Sequence, residues 1–193
     1  MTTDAFTLRR ATPSDVPALR RMHRRSLRGL GDGHYSAAQI DGLFATVETV
    51  DPALIAAGTY YLADVGGEVA GSGGWTLRRP AYEDRIDAGE RRGRIATMRA
   101  IFVDPAFARR GIARAIMTLA ESEAILFGEA EGFDLVATLS GLPLYRVLGY
   151  RAGARVELPL DNGLTFPGVR MTKSLAGAHA ENGETVRAAR RAA

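Results

Sequence analysis

At 193 residues the chain corresponds to one domain with a small appendage, long enough to bury a core without a disulfide or metal staple. Cysteine is absent, which excludes disulfide frameworks, thiolate zinc sites, iron–sulfur clusters and cysteine nucleophiles. Apolar residues make up 46% and charged residues 24%, an ordinary globular balance that argues against disorder. No apolar run reaches the ~18 residues of a membrane helix, and the first residues lack a signal-peptide layout, so a soluble cytoplasmic domain without membrane contact is expected. Net charge is +3, with Lys173 the only lysine among 25 basic residues. Because 22 acids interleave with these bases, the charge reads as a mixed solvated surface and not as a nucleic-acid face.

In chain order, Phe6 to Arg10 reads as a short strand. Thr12-Pro13-Ser14-Asp15 then starts a helix that carries Val16, Leu19, His23 and Leu27 on one face. On that face His23 reads as a packed or partnered histidine. Gly29 to Gly33 breaks this helix, and Ser36 opens a second one through Ile40, Leu43 and Phe44. Thr59 to Val65 and Glu68 to Leu77 form a hairpin about Gly66-Gly67. Residues 78–94 interrupt the pattern as a charged insertion between strands. Ile95 to Val103 is an apolar strand that ends at Asp104-Pro105.

Gly111 to Gly132 has helical periodicity, Phe133 to Leu139 is strand-like, and Leu142 to Leu148 is a short helix closed by Gly149. Arg155 to Leu160 and Leu164 to Thr172 flank the turn pair Asn162-Gly163. Residues 1–175 therefore form the expected domain, and 176–193 a mobile tail. The order predicts an α/β fold with one mixed, mostly antiparallel sheet flanked by helices and a central strand–helix–strand unit. The open edge of the last hairpin makes a homodimer through the late strands an expectation, with Pro159 and Pro167 as the counter-signal of edge protection.

The segment Val103 to Arg114 carries the most chemistry. A strand ends, a proline turns the chain, and a long helix begins at Gly111 among Arg109, Arg110 and Arg114. A helix N-terminus favours anions through its unpaired N–H groups and dipole. Arginines at this end, with Glu129 and Glu131 near the other, oppose that dipole unless an anion is bound. Read alone, the segment is either an anion cradle or a surface helix in an arginine-rich chain. A nucleoside-triphosphate loop is disfavoured because no Gly-Lys-Ser/Thr follows.

Ala108-Arg109-Arg110-Gly111-Ile112-Ala113 resembles the acyl-CoA pyrophosphate loop of the GNAT superfamily of N-acetyltransferases, Gln/Arg-x-x-Gly-x-Gly/Ala, with Ala108 where Gln or Arg is usual. Gly141 to Tyr150 resembles the family's late Leu-Tyr-x-x-x-Gly-Phe/Tyr helix, with Thr138 and Gly141 where Asn and Ala are commoner. The resemblance runs from about Phe6 to Leu175. It implies acetyl-CoA as co-substrate, no metal, and direct attack of an amine on the thioester. It places the pyrophosphate on Arg109, Arg110, Gly111, Ile112, Ala113 and Arg114, and the pantetheine arm on Ile101, Phe102 and Val103, with the sheet splaying beside them.

By the same resemblance Tyr145 protonates the departing thiolate; read without it, Tyr145 is a half-buried aromatic. Trp75, Tyr82, Arg99 and His34 are candidates for the acceptor site, Trp75 and Tyr82 being equally well explained as core aromatics. Arg99 shares a face with Ile95 and Ile101 in a regular strand, either paired with a carboxylate or lining that site. The central strand has no acid or histidine, so His34, Glu83, Asp84 and Glu90 are loop candidates for the base, each read as solvated, and a water chain is the alternative. The acceptor, whether small amine, peptide N-terminus, protein lysine or aminoglycoside, is left open. The rival reading is a non-catalytic acyl-CoA-binding sensor.

Overall fold

Alternation along one strand sets both faces of the sheet: Tyr60 and Leu62 pack under one layer of helices, Tyr61 and Ala63 under the other. The protein is described from a computed structural model covering residues 5–86 and 93–175. Its elements are β1 (Thr7–Arg10), α1 (Val16–Leu30), α2 (Ala37–Thr46), α3 (Pro52–Ala56), β2 (Tyr60–Val65), β3 (Glu68–Thr76), β4 (Ile95–Val103), α4 (Ile112–Leu126), β5 (Gly132–Thr138), α5 (Leu142–Val147), β6 (Arg151–Pro159) and β7 (Thr165–Ser174). The seven strands form one sheet in the order β1-β2-β3-β4-β5-β7-β6. Every pair is antiparallel except β4–β5. This is the expected mixed sheet with its central strand–helix–strand unit.

Local chemistry accounts for the helices on the first face. In α1, Leu19, Met22, His23, Ser26 and Leu27 are buried at helical spacing. Ser36 and Gln39 cap α2 reciprocally, the Gln39 N–H donating to Ser36 Oγ at 3.2 Å and the Ser36 N–H to Gln39 Oε1 at 3.0 Å. The third helix, absent from the sequence reading, opens at Asp51, whose carboxylate accepts the Ala53 N–H at 2.8 Å, with Pro52 in its first turn.

On the second face, α4 packs on β3 and β4 through Ile112, Ile116, Met117, Ala120 and Ala124. It stops at Leu126, short of the expected Gly132: Leu126 and Phe127 are exposed, and Glu129 has φ 50°. Glu129 and Glu131 therefore lie beyond the helix, and the expected dipole conflict at its C-terminus does not arise. Residues 87–92 of the expected insertion, and 176–193 of the expected tail, lie outside the described residues.

Two departures from regular sheet geometry shape the centre. β4 and β5 pair only from Ile95↔Gly132 to Thr97↔Asp134, after which the strands part. Beyond Thr97, β4 therefore turns backbone groups that no neighbouring strand pairs towards the gap. In addition, β4 bulges against β3: Arg99 pairs with Gly74 and Phe102 with Ser72, so Ala100 and Ile101 oppose Gly73, and Ala100 has φ 53°.

Candidate active site

The parting of β4 from β5 opens a cleft of about 830 Å³. That is the size of a ligand pocket. One half is walled by the strand ends and the turn into α4. Ile101, Phe102 and Val103 line it, as do Arg109, Gly111, Ile112, Ala113 and Arg114. These residues are therefore brought together as the sequence reading expected. Arg110 is the exception: it is not part of the wall, and its guanidinium lies over the Phe107 ring at 5.2 Å.

The turn is built for close approach. Asp104 accepts the Ala106 N–H at 3.0 Å and pairs with Arg25, closing a 3₁₀ turn at Pro105–Phe107. Arg109 has φ 66° and Gly111 φ 82°, both left-handed, so the chain enters α4 through strained backbone. Among the described residues no side chain caps the helix, and its first intrahelical bond is Ala115 N–H to Gly111 O at 2.9 Å. The N–H groups of Ile112, Ala113 and Arg114 thus have no helical acceptor. A Cβ on Gly111 would meet nothing within 4 Å, so the backbone there faces open space and suits a phosphate.

Tyr145 stands on α5 against the same cleft and is buried. Its ring meets Tyr150 edge-on at 5.9 Å. A Cβ at Gly141 would lie 2.9 Å from that ring, which explains glycine at a position where the motif more often has alanine. Among the described residues the Tyr145 hydroxyl has no hydrogen-bond partner. Burial, with Tyr82 as a lesser cause, pushes the phenol well above its ordinary range, so it holds its proton at neutral pH.

The other half of the cleft is walled by the end of α1, by α2, by the α2–α3 loop and by the β6–β7 hairpin. Of the acceptor candidates, Tyr82 and Arg99 line it. Arg99 Nη1 bonds Asp51 Oδ2 at 2.5 Å, its guanidinium lies 5.6 Å from the Tyr82 ring centre, and its side chain is 11% exposed. The bulge puts Arg99 on the α1 face and Ile101 on the α4 face, which corrects the shared face expected from regular alternation. Of the two readings of Trp75, acceptor wall or core, the second holds. Trp75 is a core residue under α4 that donates its indole N–H to Tyr61 Oη at 3.3 Å, away from the cleft.

His34 is exposed and Asp84 is exposed, and neither lines the cleft. Glu83 is buried, not solvated as expected, and lies outside the cleft wall. Glu90 lies outside the described residues.

Two residues that sequence reasoning passed over belong to the site. Glu48 and Thr49, on the α2–α3 loop, line the cleft. Their only signal was the Asp51-Pro52 helix start, which fixes where that loop ends. Glu48 pairs with Arg20 and accepts the Val50 N–H at 3.1 Å. Thr49 Oγ1 meets His23 Nδ1 at 3.0 Å, and His23 Nε2 meets Ser72 Oγ at 2.8 Å. Ser72 donates to the Ala100 carbonyl at 3.1 Å, so this buried chain of polar groups runs from the cleft to the bulge of β4.

Comparison with known proteins matches these features. A family model for the acetyltransferase (GNAT) domain matches residues 56–152, which span the β2–β3 hairpin, the bulge, the half of the cleft at the turn into α4, and α5. Among solved structures, the chain is similar to a GCN5-related N-acetyltransferase from Rhodopseudomonas palustris, with 22% identity, 91% of this chain and 99% of that chain covered, and a TM-score of 0.67. It is similar to the PaiA N-acetyltransferase from Thermoplasma acidophilum in complex with coenzyme A, with 13% identity, 88% and 99% covered, and a TM-score of 0.60. A third similarity is to YncA from Salmonella typhimurium with acetyl-CoA, with 18% identity, 89% and 94% covered, and a TM-score of 0.59. No curated protein matches the chain. With the matched domain spanning half of the sequence and the same fold in these structures, the chain belongs to the GNAT acetyltransferase family.

Proposed function

We propose that this protein transfers an acetyl group from acetyl-CoA to a primary amine by direct attack within a ternary complex. The observation that carries this reading is the Tyr145 hydroxyl, buried and without a hydrogen-bond partner among the described residues, on the wall of the cleft that opens between β4 and β5. The uncapped start of α4 supports a pyrophosphate seat on the N–H groups of Ile112, Ala113 and Arg114, with Arg109 and Arg114 adding charge. The β4 backbone from Met98 to Phe102, which β5 leaves unpaired, suits the amides of the pantetheine arm, as an added strand would; the Val103 N–H already donates to Ser26 Oγ at 3.3 Å.

In this arrangement the bound ammonium first gives one proton to water; the free amine nitrogen then bonds the thioester carbonyl carbon and the carbon–sulfur bond breaks. The sulfur leaves as a thiolate and takes the Tyr145 proton. The new ammonium loses its proton to water, and the tyrosinate recovers one from the same source. Burial raises the thiol's pKa as it raises the phenol's, so proton transfer between them stays feasible. Alignment of the two substrates supplies several kcal/mol of the acceleration.

Tyr145→Phe keeps the ring and its packing but removes the acid. With an amine that the wild type acetylates, kcat should fall by about 10² to 10⁴, with coenzyme A affinity and melting temperature nearly unchanged. Wild-type turnover in this variant, with chemistry shown to be rate-limiting, would assign Tyr145 to packing and reprotonation to water.

A further inference from the structure

The acceptor half of the cleft has a distinctive wall. Leu27, Leu43, Val47, Leu158 and Phe166 face it from α1, α2, the α2–α3 loop and the last hairpin. Four of them are buried yet line the cleft, so they form a firm apolar surface and not a loose rim. Among the described lining residues Glu48 is the only acid. Among the described lining residues Arg99 is the one cation outside the pyrophosphate end, and it is matched by Asp51 at 2.5 Å. This half of the site therefore presents one carboxylate, paired with Arg20 from outside the wall, beside an extended greasy surface.

That carboxylate has room for a ligand. The Glu48 side chain is 47% exposed and its partner Arg20 is 53% exposed; the Arg20 fork holds both carboxylate oxygens and the Val50 N–H donates to Oε1. Among the described residues Oε2 accepts from Arg20 alone, so an incoming ammonium can join Arg20 on its second lone pair. A second ammonium on the same acceptor would find no second carboxylate among the described lining residues and would lose its hydration against leucine and phenylalanine. Aminoglycosides and polyamines fit this surface poorly. A protein lysine would contribute only its four-carbon stem.

Resting on the transfer reading above, we infer that the acceptor is a small primary monoamine on an uncharged apolar body longer than a lysine stem, its ammonium at Glu48 and its body along Leu27, Leu43, Val47, Leu158 and Phe166. The chemistry is that of a substrate whose selection grows with buried apolar surface.

The test is a series of unbranched amines, butylamine, hexylamine and octylamine, whose amino groups are alike in basicity. These are compared with 1,6-hexanediamine, a lysine-containing peptide and kanamycin, all with acetyl-CoA. Expected is a rise in kcat/KM of about three- to fourfold per added methylene from butylamine to hexylamine, with hexanediamine at least tenfold below hexylamine. Calorimetry of hexylamine binding to the protein–coenzyme A complex gives a readout without turnover, and Glu48→Gln should weaken that binding about tenfold while leaving coenzyme A affinity unchanged.

A flat series, or preference for the diamine, the peptide or kanamycin, overturns the inference. So does hexylamine binding that Glu48→Gln does not weaken, and so does absence of hexylamine binding. Hexylamine that binds through Glu48 without forming acetylhexylamine upholds the acceptor site and overturns the transfer reading instead.

Discussion

His23 is a buried imidazole held by three hydroxyls. Thr49 Oγ1 lies 3.0 Å from Nδ1, and Ser72 Oγ and Tyr60 Oη lie 2.8 and 3.2 Å from Nε2, while Phe102 stacks on the ring at 4.1 Å. Because Ser72 donates to the Ala100 carbonyl, it accepts from Nε2–H, and Nδ1 accepts from Thr49. Burial pushes His23 down to about 3. The unfolded chain protonates this histidine near its ordinary 6.5, so between the two values the unfolded state binds a proton that the native state refuses. Stability is whole above pH 6.5 and falls as pH drops towards 3, by roughly 1 kcal/mol per pH unit. Asp15, held low by Arg9, adds its own loss only as pH falls below its ordinary value near 3.8. Chemical denaturation at pH 7 and pH 5 should therefore show a loss of roughly 2 kcal/mol, and His23→Gln should remove most of that slope. At this scale the helical spacing of α1 made His23 readable as a partnered core residue. Trp75 was not readable, because an aromatic wall and an aromatic core have the same sequence pattern. Glu48 was hidden for another reason: nothing local distinguishes a loop carboxylate facing a cleft from one facing solvent.

The strand-to-helix turn before α4 was the most legible element, since proline, glycine and clustered arginines each have a local physical meaning there. The structure adds that Gly111 sits at φ 82°, so a β-branched substitution would strain the helix start as well as fill the cradle. Gly111→Ala separates the two effects better. It should lower stability by about 1 kcal/mol from backbone strain and weaken coenzyme A binding at least tenfold in calorimetry. Gly66→Ala is the control, because Gly66 also has positive φ and open space about its Cβ position, in the β2–β3 turn. It should cost similar stability and leave coenzyme A binding alone. Equal effects of both variants on binding would mean that strain, not the cradle, is being measured. Other elements were less readable. Five residues of α3 are too few to show periodicity, although Asp51-Pro52 marked its start. The bulge in β4 follows from pairing with β3 and leaves no mark in an apolar run, so the faces of Arg99 and Ile101 could not be assigned locally. Helical spacing carried on past Leu126 because Phe127 falls in phase, although it is exposed.

The whole molecule consists of two half-sheets, β1 to β4 and β5-β7-β6, that share a short seam. The order of elements made the mixed sheet and the splay readable, but not how little holds the halves together. At the outer edge, β6 carries Arg151, Arg155, a register irregularity between Ala152 and Arg155, and Pro159, each of which hinders edge pairing. Light scattering at micromolar concentration should accordingly give a monomer mass, whereas a dimer mass would favour pairing of the late strands. The seam itself is three residue pairs long and is reinforced by one buried carboxylate. Thr97 Oγ1 donates to Asp134 Oδ1 at 2.7 Å, and Arg170 Nη2 donates to Asp134 Oδ2 at 2.9 Å, linking β4, β5 and β7. The Asp134 side chain is 4% exposed and that of Arg170 17%. Asp134→Asn preserves an acceptor for Thr97 but leaves the Arg170 charge without its counter-ion, at a cost of about 3 kcal/mol. Urea denaturation should show that loss as a lower midpoint. Coenzyme A at about a hundredfold its Kd should return a similar amount, about 3 kcal/mol, if it binds the native state and not the unfolded one. A midpoint unchanged by Asp134→Asn would mean that α4, packed across β3 and β4, and not the carboxylate, carries the join. A midpoint that coenzyme A at that excess fails to raise would mean that it does not bind the native state in preference to the unfolded one.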